Sequence, residues 1–190
     1  MPIPPTWLPL KGADIYLVDL VLRGTIRPDA NVLDIGCGSG RNLSFLAYAG
    51  ATITAVDADA AAVASCSELL SQVPGTHTCK VAQLPNLNLE NRFDVVVCIA
   101  VLHFAPDQTT FHQWADACWQ CLLPGGIFLA RLSTRIALPE AAAHFAYRPT
   151  LNDIVTCEQR WRATRIDPLK TTLVEEKRVM STWTLNKPTK

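Results

Sequence analysis

The segment that most restricts the fold of this chain is a short apolar run that ends in closely spaced glycines. Residues 31–35 (NVLDI) form the run, residues 36–40 (GCGSG) follow it, and residues 41–49 (RNLSFLAYA) have a helical composition. Three alternate glycines permit a tight turn, because glycine adopts backbone angles that other residues avoid. The order predicts a strand, a glycine turn and a helix, which together begin a parallel α/β unit.

The same alternation continues downstream and predicts the fold class. Strand-like runs alternate with helical segments, with strands at 51–56, 93–98 and 126–132 and helices at 59–71, 108–122 and 150–160. This order is typical of an α/β protein with a doubly wound, mostly parallel sheet. Two later runs, 161–166 and 178–185, predict an antiparallel edge pair. We expect the proline-rich start and the tail at 186–190 to be frayed.

Length and composition limit the class of protein. The chain has 190 residues, of which 49% are hydrophobic, so we predict a single domain with its own core. Its parts would be an N-terminal helical region at 1–30, an α/β core at 31–132, and a helix with a closing β-hairpin at 133–190.

Charge and hydropathy predict the partners and the compartment. Seventeen basic residues balance seventeen acidic ones, so no nucleic-acid partner is expected. No apolar run approaches the roughly 20 residues of a membrane-spanning helix, and residues 1–5 lack the features of a secretory signal. We therefore predict a cytoplasmic monomer or homodimer without a membrane partner.

The seven cysteines do not follow the pattern of a disulfide-bonded secreted domain, because their number is odd and they are scattered over predicted strands and helices. Cys118 and Cys121 have the spacing of a zinc or redox motif, but the motif occurs once and lacks a partner pair. We predict no metal site and two helical cysteines that face the sheet. A metal or redox role for this pair is the alternative.

The spacing within the glycine turn distinguishes two classes of nucleoside ligand. The glycines follow a G-x-G-x-G pattern, whereas the dinucleotide fingerprint is G-x-G-x-x-G. Asp34, just before the first glycine, would repel a diphosphate and attract a cationic ligand. Asp57 ends the second predicted strand, where a carboxylate accepts hydrogen bonds from ribose hydroxyls. Helix capping is the alternative for Asp57, and we assign capping to Asp59.

Four segments together carry a resemblance to a known family: Val32–Gly40, Ala55–Asp57, Phe93–Leu102 and Leu122–Gly126. The chain resembles the class I S-adenosylmethionine-dependent methyltransferases, and its glycine turn is similar to those of the tellurite-resistance-type and related small-molecule branches. The resemblance implies a Rossmann-like, seven-stranded sheet with a reversed C-terminal hairpin. It also implies that S-adenosyl-L-methionine lies over the ends of the first four strands and leaves as S-adenosyl-L-homocysteine. By the same resemblance, region 31–132 is the cofactor-binding core and the helix of region 1–30 is a lid over the cofactor.

The predicted cofactor-binding residues lie in and after the glycine turn and at the ends of the following strands: Asp34, Gly36, Cys37, Gly38, Gly40, Asn42, Asp57, Ala58, Gln83, Leu84 and Ala100. Gln83 stands near the position where many relatives have an acidic residue for the adenine amino group, and its amide oxygen offers an acceptor. Leu84 is assigned to the adenine ring, with an ordinary core contact as the alternative.

The acceptor site implied by the family lies beyond the fourth strand. His103 follows this strand and is the candidate base, because an ordinary histidine gains and loses a proton near neutral pH. Tyr16, in the N-terminal helix predicted at 13–22, is the candidate acceptor-pocket residue. Packing without substrate contact is the alternative for both. The Asn/Asp-Pro-Pro-Tyr motif of many amide and adenine methyltransferases is missing, which disfavours those acceptors.

These predictions favour methyl transfer to a small-molecule substrate by in-line displacement. Two other functions stay open at this point. One is a non-catalytic S-adenosylmethionine-binding or partner protein, and the other is an NAD-dependent oxidoreductase on a similar sheet.

Overall fold

The computed structural model describes residues 5–90, 92–137, 145–174 and 178–189. They belong to two compact units, Met1–Gln83 and Leu84–Lys190, and each unit is treated by itself below. The expectation of a single domain stays a prediction. Among the described residues, every helix is too short or too polar to span a bilayer.

From residue 5 onward, where the structure describes it, the first unit contains three parallel strands and three α-helices. After a 3-10 helix at Pro5–Leu10, its elements are α1 (Ile15–Leu22), β1 (Asn31–Ile35), α2 (Leu43–Tyr48), β2 (Thr52–Asp57), α3 (Ala60–Ser71) and β3 (Thr78–Val81). Strand β2 lies between β1 and β3 and pairs in parallel with both. The order strand, glycine turn and helix at 31–48 is as predicted.

Strands β1 and β2 contribute buried apolar side chains to the core of this unit. Val32, Leu33 and Ile53 are fully buried. The parallel register pairs Ile35 with Val56, so the two strands end at the same edge of the sheet. This register brings the glycine turn and the carboxyl end of β2 together.

In its described residues, the second unit contains five strands, two α-helices and a 3-10 helix at Leu102–Phe104. Its elements are β4 (Phe93–Ile99), α4 (Gln108–Gln120), β5 (Leu122–Ser133), α5 (Leu151–Trp161), β6 (Thr164–Arg165), β7 (Lys170–Val174) and β8 (Arg178–Asn186). Strand β4 pairs with β5 in parallel. Strand β8 is antiparallel to β5, β6 and β7.

These elements confirm the predicted fold class, an α/β protein with parallel strands and a reversed C-terminal hairpin. The predicted strand at 161–166 is wrong in its bounds. Helix α5 runs to Trp161, Arg162 ends it in the left-handed conformation, and two residues, Thr164–Arg165, remain as β6. The hairpin partner of β8 is instead β7, so the described residues contain eight strands rather than seven.

The strand predicted at 126–132 begins earlier, at Leu122, and residues 123–126 lie inside β5 as a bulge. The register against β4 shifts between Phe93 and Val95 to accommodate it. Only glycine fits at position 126. A Cβ atom there would lie 2.9 Å from the Leu123 carbonyl oxygen and 3.0 Å from the Asp94 carbonyl oxygen. Such distances are shorter than carbon and oxygen atoms tolerate.

The prediction of a frayed C-terminal tail is wrong for Lys187. Its backbone N–H donates to the Gly126 carbonyl, and its own carbonyl accepts from the Gly125 N–H. The ammonium group also donates to the Leu122 carbonyl at 2.7 Å. The tail is held because the bulge of β5 leaves backbone groups that need partners.

Candidate functional site

The glycine turn combines one crowded position with one open position. Gly36, Gly38 and Gly40 have φ values of 72°, 50° and 74°, a region that favours glycine. A Cβ atom on Gly40 would lie 3.1 Å from the Cys66 sulfur and 3.2 Å from Leu43 Cδ1, so this glycine lets α3 approach closely. A Cβ atom on Gly38 would meet nothing within 4 Å. The turn therefore packs at one end and faces open space in its middle.

The backbone amides of the turn are already engaged within the protein. Those of Gly36 and Cys37 donate to the Val56 carbonyl, and that of Gly40 donates to the Cys37 carbonyl. The Gly38 amide donates to Asp57 Oδ2 at 2.9 Å. A phosphate-binding turn instead aims its free amides at the ligand. The observed hydrogen bonds therefore disfavour a diphosphate at these four positions.

Asp57 connects the end of β2 to the glycine turn. Its Oδ2 accepts from Gly38, and its Oδ1 accepts from the Asp59 amide at 3.0 Å. The side chain is half-buried, and a carboxylate has about four acceptor sites, so it retains capacity for two hydroxyl groups. Asp59 caps α3 through the Ala61 amide at 2.9 Å, as predicted.

Asp34 lies at the same edge and is a buried carboxyl group of the first unit. Its residue is 2% exposed, and its carboxyl group makes no hydrogen bond to any residue that the structure describes. Burial raises the pKa of Asp34 to about 7, Arg41 opposes this rise, and the negative charge of Asp57 adds to it. Near neutral pH this carboxyl group is divided between its neutral and charged forms.

Asp153 shows how the chain treats a buried carboxylate that serves structure. It is also almost fully buried, but it accepts hydrogen bonds from Gln108 Nε2, the Tyr147 hydroxyl, and the amide and hydroxyl groups of Thr150. Burial alone would raise the pKa of Asp153, but these donors outweigh burial and hold it well below its usual value. By comparison, the Asp34 carboxyl group accepts no hydrogen bond from the residues that the structure describes.

Asp14 anchors the N-terminal helix to the glycine turn. Its backbone amide donates to Asn42 Oδ1 at 3.0 Å, while its Oδ1 accepts from the Tyr16 amide and caps α1. Its Oδ2 lies 3.7 Å from a guanidinium nitrogen of Arg41. Sequence reasoning missed Asp14. An aspartate directly before an apolar helix indicates an N-cap, but no local pattern reveals a contact across 28 residues.

The two cysteines near the turn have structural contacts. The Cys66 thiol donates to the Gly38 carbonyl at 3.2 Å and also contacts the thiol of Cys37. Burial raises the pKa of both thiols. Both groups are therefore neutral and help to hold the shape of the turn.

The other predicted cofactor residues lie in varied surroundings. In the first unit, Ala58 and Gln83 are exposed after β2 and β3. In the second unit, Leu84 is buried, and Ala100 follows β4 exposed, with a φ of 63°. For a residue with a side chain this conformation costs about 1–3 kcal/mol and is concentrated at functional sites. The Ala100 amide donates to the Arg131 carbonyl at 2.7 Å, a tertiary contact at the same residue.

His103 is buried in the second unit, in the 3-10 helix after β4. Its Nδ1 accepts a hydrogen bond from the Ser133 amide at 3.0 Å. Its ring packs against Phe104 and Phe145 with centroid distances of 4.9 Å and 4.2 Å. Because the backbone amide can only donate, the neutral ring carries its proton on Nε2. In the neutral ring, Nε2 is therefore the nitrogen that is able to donate a hydrogen bond.

Cys118 and Cys121 lie at the end of α4 and are both buried. The Cys118 sulfur is 3.9 Å from that of Cys98 on β4, and the Cys121 thiol donates to the Ala117 carbonyl. Burial raises the pKa of Cys121 to about 12. Within the described ranges, no three side chains of the metal-binding types come together.

Comparisons with known proteins agree with this geometry. The family model described as a methyltransferase domain matches residues 33–128. A ubiquinone biosynthesis O-methyltransferase of Pseudomonas putida is 35% identical over 97 residues, which are 50% of this chain and 40% of that protein. The chain thus spans less than half the length of this relative.

Two solved structures share the fold. An S-adenosylmethionine-dependent methyltransferase of Methanosarcina mazei has a TM-score of 0.74 at 19% identity, covering 90% of this chain and 98% of that one. The second is the 1,6-didemethyltoxoflavin N1-methyltransferase of Burkholderia thailandensis with bound 1,6-didemethyltoxoflavin and S-adenosylhomocysteine. It has a TM-score of 0.72 at 19% identity, covering 90% of this chain and 76% of that one.

Proposed function

Because the chain belongs to the methyltransferase-domain family of the class I S-adenosylmethionine-dependent superfamily, we propose that it transfers a methyl group from S-adenosyl-L-methionine to a small-molecule acceptor. The observation that carries this proposal is Asp34, a buried carboxyl group without a hydrogen-bond partner among the described residues, beside the glycine turn. Burying an unpaired charge lowers the stability of the folded protein, and a bound ligand of opposite charge would offset that loss.

The residues present fit S-adenosylmethionine. Asp34 offers a carboxylate to the cationic amino-acid end, and the free acceptor capacity of Asp57 suits the two ribose hydroxyls. The open space at Gly38 admits a ligand against the backbone. A dinucleotide fits less well, since four turn amides that would hold its diphosphate already have partners inside the protein.

Catalysis in this proposal is mostly alignment. When bound, S-adenosylmethionine supplies an electrophilic methyl group whose sulfonium sulfur is a good leaving group. The chain's own residues hold the cofactor in place: Asp34 binds its amino-acid end, Asp57 binds its ribose, and the Cys66 thiol supports the turn through the Gly38 carbonyl. Holding the methyl donor and the acceptor in line replaces a random encounter in solution. This alignment lowers the activation free energy by up to roughly 7–11 kcal/mol.

Small molecules are the proposed acceptors. The Pseudomonas relative is named for O-methylation in ubiquinone biosynthesis, and the Burkholderia protein for N1-methylation of a toxoflavin precursor. Both names describe small-molecule chemistry. The balanced charge of the chain agrees, because a nucleic-acid acceptor calls for a basic surface.

We expect S-adenosylhomocysteine to raise the melting temperature of the protein and NAD to leave it unchanged. A ligand at 100 times its Kd stabilises the folded state by about 2.7 kcal/mol. Differential scanning fluorimetry with both ligands tests this, and stabilisation by NAD alone would overturn the proposal.

Incubation with labelled S-adenosylmethionine and a metabolite panel then tests turnover. Tight binding without any transfer would instead favour a non-catalytic binding protein.

We also propose that His103 acts on the acceptor. The Nε2–H group of His103 suits a donor that orients the reacting group of the acceptor. The predicted role as a base would require Nδ1 to be free to accept a proton, so the ring would have to release the Ser133 amide. Replacing His103 by asparagine keeps an acceptor for Ser133 and removes Nε2. We expect turnover to fall by about 10²-fold or more, with S-adenosylhomocysteine affinity kept within twofold. Wild-type turnover in this variant would reduce His103 to a packing residue.

Tyr16 remains the proposed acceptor-pocket residue. Its backbone is fixed at the start of α1 through Asp14, and its side chain is half-buried. The hydrogen bond from the Asp14 amide to Asn42 ties this start to the glycine turn. The N-terminal helix is therefore held near the turn, as a lid over a cofactor requires.

A further inference from the structure

The segment before α5, residues 145–150, makes contacts that the proposed function has not yet used. Its first residue, Phe145, packs its ring against the imidazole of His103, with a centroid distance of 4.2 Å and a tilt of 45° between the planes. Phe145 also meets the ring of Phe104 edge-on at 5.3 Å. The His103 ring is therefore restrained at two points, by Phe145 and by the Ser133 amide that donates to Nδ1 at 3.0 Å.

Tyr147 ties this segment to both helices of the second unit. Its hydroxyl group donates to Asp153 Oδ2, on α5, at 2.7 Å. Its ring lies beside that of Phe111, on α4, with a centroid distance of 6.1 Å. Residues 145–150 form neither a helix nor a strand, and Tyr147 anchors them two residues away from Phe145.

Asp153 is a strong anchor because hydrogen-bond donors surround both of its oxygens. Oδ2 accepts from the Tyr147 hydroxyl and from the amide and hydroxyl groups of Thr150, each at 2.7 Å. Oδ1 accepts from Gln108 Nε2 at 2.6 Å and lies 3.3 Å from His112 Nε2. These donors keep the carboxyl group ionised. A hydrogen bond to an ionised acceptor is roughly twice as strong as one between neutral groups, so the hold on Tyr147 is firm.

Phe145 depends on this anchor because its own surroundings restrain it little. It is half-buried, and one of the two rings that it contacts, Phe104, is itself 63% exposed. Two residues of chain span at most about 7 Å, so a displacement of Tyr147 reaches Phe145. Loss of the Tyr147 hydrogen bond should therefore loosen the contact between Phe145 and His103.

We propose that Tyr147 is a positioning residue for His103, because its hydrogen bond to Asp153 holds Phe145 against the imidazole ring. This inference rests on the proposed function, in which His103 orients the reacting group of the acceptor. A displacement of about 1 Å in such a group lowers the rate by about 10²-fold. Tyr147 acts on that orientation without touching the acceptor.

The first test is NMR spectroscopy of the ligand-free protein labelled with ¹⁵N-histidine. In the wild type we expect well-separated Nδ1 and Nε2 signals for His103, because the Ser133 amide keeps the proton on Nε2. Tyr147→Phe removes the hydroxyl group and keeps the ring. In this variant the two signals should move toward each other, as the ring exchanges between its tautomers. His103→Asn lacks both signals and so assigns them.

The second test is turnover with labelled S-adenosylmethionine and the acceptor that the metabolite panel identifies. In Tyr147→Phe we expect kcat to fall by at least about tenfold, while the KM for S-adenosylmethionine stays within twofold. A merely structural Tyr147 would lower the melting temperature without changing the His103 signals or the kcat of the folded protein.

Asp116→Asn is the matched control, because Asp116 also joins α4 to α5. It accepts from Arg160 Nη2 and from Trp161 Nε1, both at 2.6 Å. This variant should lose stability but keep the His103 signals and kcat of the wild type. Phe145→Leu removes the ring contact directly and should reproduce the effects of Tyr147→Phe. It also replaces that variant if circular dichroism shows that Tyr147→Phe does not fold.

The outcomes separate this inference from the proposed function. Unchanged His103 signals in Tyr147→Phe would overturn the inference, and so would equal shifts in Asp116→Asn or shifted signals with wild-type kcat. Shifts confined to Tyr147→Phe and Phe145→Leu, together with a lower kcat, support it. If the wild-type protein transfers no methyl group, the proposed function fails, and the NMR comparison still decides whether Tyr147 holds His103.

Discussion

Replacing Asp34 by asparagine is expected to weaken S-adenosylhomocysteine binding by about 100-fold or more, because removing one partner of a buried ion pair costs roughly 3–5 kcal/mol. The variant keeps the size of the side chain and loses its charge. Calorimetry at pH 8, where the wild-type carboxyl group is ionised, measures the difference. Unchanged affinity would remove Asp34 from the binding site and, with it, the main support for the proposed function.

The same substitution should stabilise the ligand-free protein at alkaline pH. The folded state raises the pKa of Asp34 from 3.8 to about 7, so the folded protein binds the proton more tightly than the unfolded chain does. Stability is therefore lost as the pH rises from about 4 through about 7, by up to roughly 4 kcal/mol. Burying an asparagine amide without partners offsets about 1–3 kcal/mol of the gain.

The diagnostic signature is a pH dependence in urea unfolding. The difference in unfolding free energy between Asp34→Asn and the wild type should grow from pH 4 to pH 7 and be constant above pH 8. Asp29→Asn serves as control, because Asp29 is exposed and pairs with Arg27 at the surface. A pH-independent difference for Asp34→Asn would show that the carboxyl group is not buried in its charged form.

Cofactor affinity should follow the same titration in the wild type. A cationic ligand lowers the pKa of Asp34 on binding, so binding releases a proton at pH values below about 7. Affinity should fall by up to about tenfold for each pH unit below this point and level off above it. In Asp34→Asn this dependence should disappear.

Replacing Asp57 by alanine is the second change with a large expected effect. Each ribose hydroxyl would lose a charged acceptor worth roughly 1.5–3 kcal/mol, so affinity for S-adenosylhomocysteine should fall by about 10²- to 10⁴-fold. The Gly38 amide would lose its partner as well, which loosens the turn itself. Calorimetry measures the loss, with circular dichroism to verify folding.

Asp59→Ala is the control for this prediction, since Asp59 lies two residues away and caps α3. It should cost about 0.5–2 kcal/mol of stability and leave the affinity unchanged. A ligand without the 2′-hydroxyl refines the test. It should bind the wild type more weakly than S-adenosylhomocysteine but bind Asp57→Ala equally, and a wild-type preference that persists in the variant would exclude the ribose contact.

The elements that sequence reasoning predicted well are those with a strong local pattern. The continuous apolar runs of β1 and β4 and the glycine spacing after β1 define their own structure. Helix α3 begins after Asp59, as its capping role predicts. The weakest prediction was the C-terminal hairpin, where a helix end and two short strands follow one another within 15 residues. In this region, hydrogen-bonded pairing with the distant strand β8 determined which residues adopt the strand conformation.

The site divides in the same way. The presence of Asp34, Asp57 and a glycine turn is encoded locally, and the parallel register of β1 with β2 follows from the α/β order. The Asp14 anchor joins residues 28 positions apart, and the Ser133 amide that fixes the tautomer of His103 is 30 positions from it. No periodicity or spacing signals such contacts.

The sequence by itself determined the types of the elements, their order, the backbone angles of the glycine turn and the residues that stand at the strand ends. Tertiary structure alone decided that Asp34 is buried without a hydrogen-bond partner among the described residues. It also decided that the turn amides already have partners inside the protein and that Arg41 pairs with Asp14. The reason is physical. Backbone preference and hydrophobic periodicity act over a few residues, whereas burial, pKa and hydrogen-bond partners depend on every segment that packs around a group.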